Sequence, residues 1–179
     1  IAKLHQQKPF GLPLDLWHEL SVYWYHIDRK RLSPKWLRLH HDFLRQPRRT
    51  LIKYAPAHMD LHPENILLSD SGIKFIDWEY AGMQDPHVDI AMFAIYSLYN
   101  KEQIDELIGM YFTEGCNKET RIKIYCYISM CGLLWSNWCE YKYTLGVEFG
   151  EYSLAQYRFA KDYYKIVMEE MENIEKCVK

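Results

Sequence analysis

No uninterrupted apolar stretch in the 179 residues is long enough to span a bilayer as a helix, so nothing in this sequence reads as a membrane anchor. Neither sign of charge dominates. The formal charge is −2 with lysines and arginines scattered, which gives no electrostatic footprint for nucleic acid. The five cysteines (Cys116, Cys126, Cys131, Cys139, Cys177) are odd in number and form no Cys-x-x-Cys pair, so a zinc knuckle or disulfide framework is disfavoured and reduced thiols of a cytoplasmic protein are expected. No basic and apolar leader of signal-peptide type follows Ile1, and no internal repeat or low-complexity tract is present. The length suffices for one domain, or one large lobe, with a buried core.

What is present centres on residues 57–89. Two short apolar runs, Ile66-Leu67-Leu68 and Ile73-Lys74-Phe75-Ile76, flank the turn formers Ser69-Asp70-Ser71-Gly72, which predicts a β-hairpin. His58, Asp60 and Asn65 precede its first strand, and Asp77 follows its second. Antiparallel pairing brings Asp77 back towards Asn65, so two carboxylates and an amide share a small volume. Phosphoryl transfer from a nucleotide needs such a set: a carboxylate to orient the attacking hydroxyl and accept its proton, and hard oxygen ligands for magnesium. Asp60 fits the base, Asn65 and Asp77 the metal ligands. A metallohydrolase reading of His58-x-Asp60-x-His62 would require further histidines at ligand spacing, and only His87 follows.

His58-Met59-Asp60-Leu61-His62-Pro63-Glu64-Asn65 resembles the catalytic loop of the protein-kinase-like superfamily, which includes the aminoglycoside phosphotransferases. In that resemblance His58 is structural and holds the loop by a hydrogen bond. After Asp77 come Trp78-Glu79-Tyr80 where a protein kinase has Phe-Gly, and no Ala-Pro-Glu-like end follows, which points to a small-molecule kinase. Asp89, one turn into a helix after Asp85-Pro86, matches an aspartate that in such kinases lies beneath the catalytic loop; an acid favoured by the helix dipole explains it equally well.

The flanking sequence is helical. Ile1 to Gln7 reads as a helix tail. Leu14 to Ile27 carries Leu16, Trp17, Leu20, Tyr23, Trp24 and Ile27 at spacings of three and four, an apolar stripe expected in the core. Ser33-Pro34 is an N-cap with proline in the first turn of a helix through Trp36, Leu37, Leu39 and Leu44. His40-His41-Asp42 on that helix reads as a solvated or partly buried face, since adjacent helical residues diverge. Arg45 to Arg49 reads as a basic loop, and Leu51 to Tyr54 as a weak strand. Asp85 is the expected N-cap of the next helix, with Pro86 at its first position. Further helices are expected over Ile90 to Tyr99, Glu102 to Phe112, Thr120 to Tyr141 and Glu148 to Ile174. The fold class is therefore α+β and mostly α-helical, with the hairpin carrying the catalytic loop and residues 90–179 supplying the substrate pocket.

Trp135 and Trp138 lie three apart on one helix face. Such pairs usually pack inward, yet stacked aromatic faces also hold quaternary ammonium groups. Leu134-Trp135-Ser136-Asn137-Trp138, Val147-Glu148-Phe149, Tyr157-Arg158-Phe159 and Ile76-Asp77-Trp78-Glu79-Tyr80-Ala81 together resemble the choline/ethanolamine kinase family over nearly the entire chain. The resemblance implies an ATP-dependent, magnesium-requiring enzyme that phosphorylates choline or a related amino alcohol. In it Asp60 matches the base, Asn65 and Asp77 the magnesium ligands, and Glu79 a helper at the metal. Tyr80, Trp135, Trp138 and Phe149 match the aromatic residues around the headgroup. Tyr96 stands where the family often has a glutamate, and Leu154 where another aromatic residue can stand, which favours choline slightly over ethanolamine.

Kinases of this superfamily carry an N-terminal lobe with a nucleotide-covering loop. No Gly-x-Gly-x-x-Gly segment precedes His58, so residues 1–179 are expected to be the C-terminal lobe of a longer enzyme, inactive without that partner lobe. A kinase for an aminoglycoside or sugar, and a non-catalytic kinase-like binding module, are the alternatives.

Overall fold

The computed structural model describes residues 1–11, 13, 15–45 and 54–178. Leu51 to Lys53 of the expected weak strand, and most of the Arg45 to Arg49 loop, lie outside them. The expected class, α+β and mostly helical, is the one observed. Two compact units divide the chain: residues 1–14 with 51–124, and residues 15–50 with 125–179.

In the first unit the short helix α1 (Ala2–His5) packs on strand β1 (Ala55–Ala57). β1 pairs antiparallel with β4 (Gly82–Gln84), Ala55 facing Gln84 and Ala57 facing Gly82, and every residue of both strands is buried. Pro56 lacks an amide hydrogen and is tolerated because this ladder has two strands only. The chain between β1 and β4 is thus an excursion tied at its base. It carries the hairpin of β2 (Ile66–Ser69) and β3 (Gly72–Phe75), in register from Ile66 opposite Phe75 to Ser69 opposite Gly72. Gly72 turns at φ 107°, a conformation that disfavours any other residue.

Helix α4 (His87–Tyr96) buries Val88 through Met92 and Ala94 through Tyr96, so it runs through the core with hardly an exposed face. Its start differs by one residue from expectation: Pro86 is the N-cap position, and Asp85 Oδ1 accepts the His87 N–H at 3.0 Å from one residue further out. Asp85 also pairs with Lys123 at 2.7 Å. Helix α5 (Lys101–Tyr111) opens on a reciprocal cap between Asn100 and Gln103 and buries Ile104 and Ile108, one turn apart.

The second unit contains α2 (Leu16–His26), a 3-10 turn at Arg29–Arg31, α3 (Pro34–Arg45), most of α6 (Lys118–Thr144) and α7 (Glu151–Val178). These helices are displaced from, or longer than, the expected ranges by a few residues. α2 begins at Leu16, the expected start at Leu14 lying outside the described residues, and α7 begins at Glu151, after Gly146 and Gly150 turn at positive φ. Ser33 Oγ caps α3 by accepting from the Trp36 amide at 3.2 Å. The indole of Trp36 donates to Asn137 Oδ1 at 2.9 Å and stacks on Tyr157 at 4.3 Å, which satisfies the oxygen of a buried amide inside an apolar core. Gly132 lets α6 and α7 approach closely: a Cβ there would lie 2.7 Å from the Gln156 carbonyl oxygen.

His40 corrects the expectation of a solvated or partly buried face. His41 is exposed, but His40 is fully buried and stacks on Trp24 with ring centroids 3.6 Å apart. Burial pushes its pKa down to about 4, so it sits in the core as a neutral aromatic ring.

Candidate active site

The loop after β1 is shaped by one buried carboxylate. Asp89, fully buried in the first turn of α4, accepts the backbone N–H of His58 at 2.8 Å through Oδ2 and that of Met59 at 2.8 Å through Oδ1. His5 Nε2 adds a third contact at 3.1 Å, and its Nδ1 meets the Tyr111 hydroxyl at 2.8 Å. Burial, then the charges of Asp85 and Asp89, push the Tyr111 pKa up to about 12, so the phenol keeps its proton. Asp89 thus bonds two successive backbone amides of the loop. His58 contributes from the other side: fully buried, its Nε2 lies 2.8 Å from the Ile76 carbonyl, and its ring packs on Trp78 at 4.5 Å.

Held in this way, Met59 adopts φ 67° and turns Asp60 outward, half-buried. Asn65 Nδ2 donates to both the backbone oxygen and Oδ2 of Asp60, each at 3.0 Å. The amide NH₂ is thereby spent on Asp60, and its carbonyl oxygen remains as an acceptor. The backbone carbonyl of Asn65 receives the Ile76 N–H at 3.0 Å, which closes the open end of the hairpin and sets Asp77 directly beyond it. Asp77 is exposed, with φ 59°, a left-handed conformation that aspartate tolerates better than most residues. Glu79 and Tyr80 follow on the exposed surface of the same unit.

Among the described residues no group of three histidine, cysteine or acidic side chains is arranged to hold a metal ion. Magnesium does not demand one, because it keeps several waters and takes few protein oxygens alongside phosphate. The side-chain oxygen of Asn65 and the exposed Asp77 carboxylate are hard oxygen donors of the kind it takes.

The expected headgroup residues divide between the units: Tyr80 belongs to the first, Trp135, Trp138 and Phe149 to the second. Those last three form one cluster. The two indoles meet edge to face with centroids 5.4 Å apart, and Trp138 lies 4.9 Å from Phe149. Both indoles are half-buried, and Lys142 Nζ stands 5.2 Å from the Trp138 ring, so one face already accepts a cation. A cavity of about 390 Å³ shares Phe149 with the cluster and is otherwise lined by Arg31, Glu140, Tyr143, Glu148 and Leu154 among others.

The sequence offered no sign of one contact. Tyr96, noted only as a replacement for glutamate, donates its hydroxyl to Asp60 Oδ1 at 2.7 Å.

Residues 1–125 match the model of the phosphotransferase enzyme family, APH. A thiamine kinase of Escherichia coli (strain K12 / DH10B) is 37% identical over 122 residues, which cover 68% of this chain and 41% of the relative. Among solved structures, a choline/ethanolamine kinase family protein from Mesorhizobium loti superposes with a TM-score of 0.77 at 23% identity, over 90% of this chain and 57% of that one. Choline kinase LicA from Streptococcus pneumoniae superposes with a TM-score of 0.73 at 24% identity, over 90% of this chain and 59% of its own. The same kinase in complex with AMP gives 0.69 at 23% identity, over 93% and 59%. The chain therefore spans between two fifths and three fifths of the length of these relatives, and it has the fold of the kinases it overlays. By the match over its first 125 residues, the chain belongs to the phosphotransferase enzyme family.

Proposed function

We propose that the protein containing this chain transfers the γ-phosphate of ATP to the hydroxyl of a small alcohol that carries a permanent positive charge, with choline as the first reading and phosphocholine as the product. The Asp60–Asn65 pair carries this reading: a half-buried carboxylate held by an amide whose oxygen is left for a cation is the equipment of phosphoryl transfer. Asp60 orients the alcohol and takes its proton as the alcohol oxygen bonds to the γ-phosphorus. The bond from that phosphorus to the bridging oxygen breaks, and ADP leaves with the electron pair. Asn65 and Asp77, helped by Glu79, would hold magnesium, which would supply positive charge to neutralise the phosphates. His58 and Asp89 keep the loop in shape. A nucleotide-binding lobe ahead of residues 1–179 supplies the remaining phosphate contacts.

Trp135, Trp138 and Phe149, with Tyr80, serve the cationic headgroup, since aromatic faces attract a cation that has no hydrogen to donate. A primary amine such as ethanolamine would want an acceptor, and Tyr96 stands where the carboxylate would be. Thiamine is the second reading, favoured by the 37% identity to a thiamine kinase. It too has a hydroxyethyl group and a permanent positive charge, the group on a carbon of the thiazolium ring and the charge on that ring's quaternary nitrogen. The test is a substrate panel with the full-length gene product, ATP and magnesium: choline, thiamine, ethanolamine and an aminoglycoside, with product identified by mass. The highest kcat/KM is expected for choline. A higher value for thiamine moves the substrate to the second reading, and transfer to none of the four overturns the function.

A further inference from the structure

We infer that Tyr96 is a positioning residue: its phenol fixes the plane of the Asp60 carboxylate so that one lone pair of each oxygen stays directed at the incoming alcohol. The inference rests on Asp60 as proton acceptor. An aspartate carboxylate rotates broadly about its last side-chain bond, and the Asn65 contact at Oδ2 restrains one oxygen only. The Tyr96 hydroxyl at 2.7 Å from Oδ1 restrains the other. The distance is that of a good hydroxyl–carboxylate bond. Each carboxylate oxygen accepts two hydrogen bonds, so one direction on each remains for substrate.

The phenol is itself held rigidly. Tyr96 is the last residue of α4, 8% exposed, and its ring meets His62 edge on at 5.2 Å. His62 belongs to the same loop and accepts the Glu64 N–H at 3.3 Å. Asp89 and Tyr96 are seven apart on one helix, hence on one face. That face therefore grips the backbone at His58 and Met59 with one residue and the side chain of Asp60 with the other. A buried helix is a more exact support than a loop, and errors near 1 Å at a reacting group lower rates by about 100-fold.

The experiment uses the full-length protein with its best alcohol. Tyr96→Phe keeps the ring and removes the hydroxyl. A fall in kcat of about 10- to 100-fold is expected, with KM for alcohol and ATP within twofold and the melting temperature within a few degrees. Tyr96→Phe placed in an Asp60→Ala background should add no further loss, because its effect passes through Asp60. A kcat within twofold of the parent, or an independent loss in the Asp60→Ala background, overturns the inference. Full activity of Asp60→Ala alone would instead overturn the function reading, so the two failures are distinguishable.

Discussion

Asp89 Oδ1 accepts the backbone N–H of Met59 at 2.8 Å, and Met59 sits at φ 67° with its side chain buried. A left-handed conformation at a bulky residue costs about 1–3 kcal/mol and persists only where its surroundings demand it. Asp89 supplies that demand by holding two successive amides with its two oxygens.

Asp89→Ala leaves both N–H groups buried and unpaired, at about 1–3 kcal/mol each, so a loss of about 3 kcal/mol or more in urea unfolding is expected, together with loss of phosphoryl transfer. Asp89→Asn retains one acceptor and should lose less. Equal stability of the alanine variant and the parent would show that the two amides find other partners.

Gly132 tests the second unit. A Cβ there would stand 2.7 Å from the Gln156 oxygen, 2.8 Å from the Ala160 nitrogen and 3.0 Å from the Phe159 Cβ. Helix propensity favours Gly132→Ala by about 1 kcal/mol. Two of the three clashing atoms are backbone and cannot swing aside, so α7 must shift, at a cost of about 1–3 kcal/mol or somewhat more. The clash is expected to win, with a net loss of about 1–2 kcal/mol by urea titration.

Legibility in the sequence followed the range of the interactions. The hairpin was readable because two short apolar runs flank Ser69 to Gly72, and the loop because its polar residues lie within eight positions of one another. The β1–β4 ladder was not: its strands are three residues long, contain Pro56 and Gly82, and are stabilised by a burial that local propensity does not encode. His40 was misread because a His-His-Asp run looks polar, whereas stacking on Trp24 makes one of its rings part of the core. Tyr96 reaches Asp60 across 36 positions, a separation that no local pattern encodes, so in the sequence it stood out only as a replacement for glutamate. The spacing of Trp135 and Trp138 was visible, but Phe149 joins them only through the turn after α6, where Gly146 has φ 83°.

Trp138 contacts both Trp135 and Phe149, so it is the centre of the aromatic cluster. In the full-length protein Trp138→Leu removes one cation-attracting face worth about 1–2 kcal/mol. KM for the quaternary substrate should rise about tenfold with kcat little changed, the pattern of binding lost equally from ground and transition states. An unchanged KM would assign the indole to packing alone.

His40 sets a pH dependence of stability. Burial holds its folded pKa near 4, with the charges of Arg29 and His41 acting in the same direction, against an ordinary value of 6.5. Between those values the unfolded chain binds a proton that the native protein refuses, so unfolding is favoured as pH falls. The contribution is fully present above pH 6.5 and is lost progressively towards pH 4, about 2 kcal/mol of it by pH 5. His87, also lowered to about 4 by burial, acts over the same window and steepens the slope. His40→Leu removes one of the two groups while keeping an apolar side chain against Trp24. Urea unfolding at pH 7.5 and pH 5 should therefore show the parent losing about 2 kcal/mol more than the variant. Parallel losses in the two proteins would place the His40 ring in contact with water, contrary to its stacking in the core.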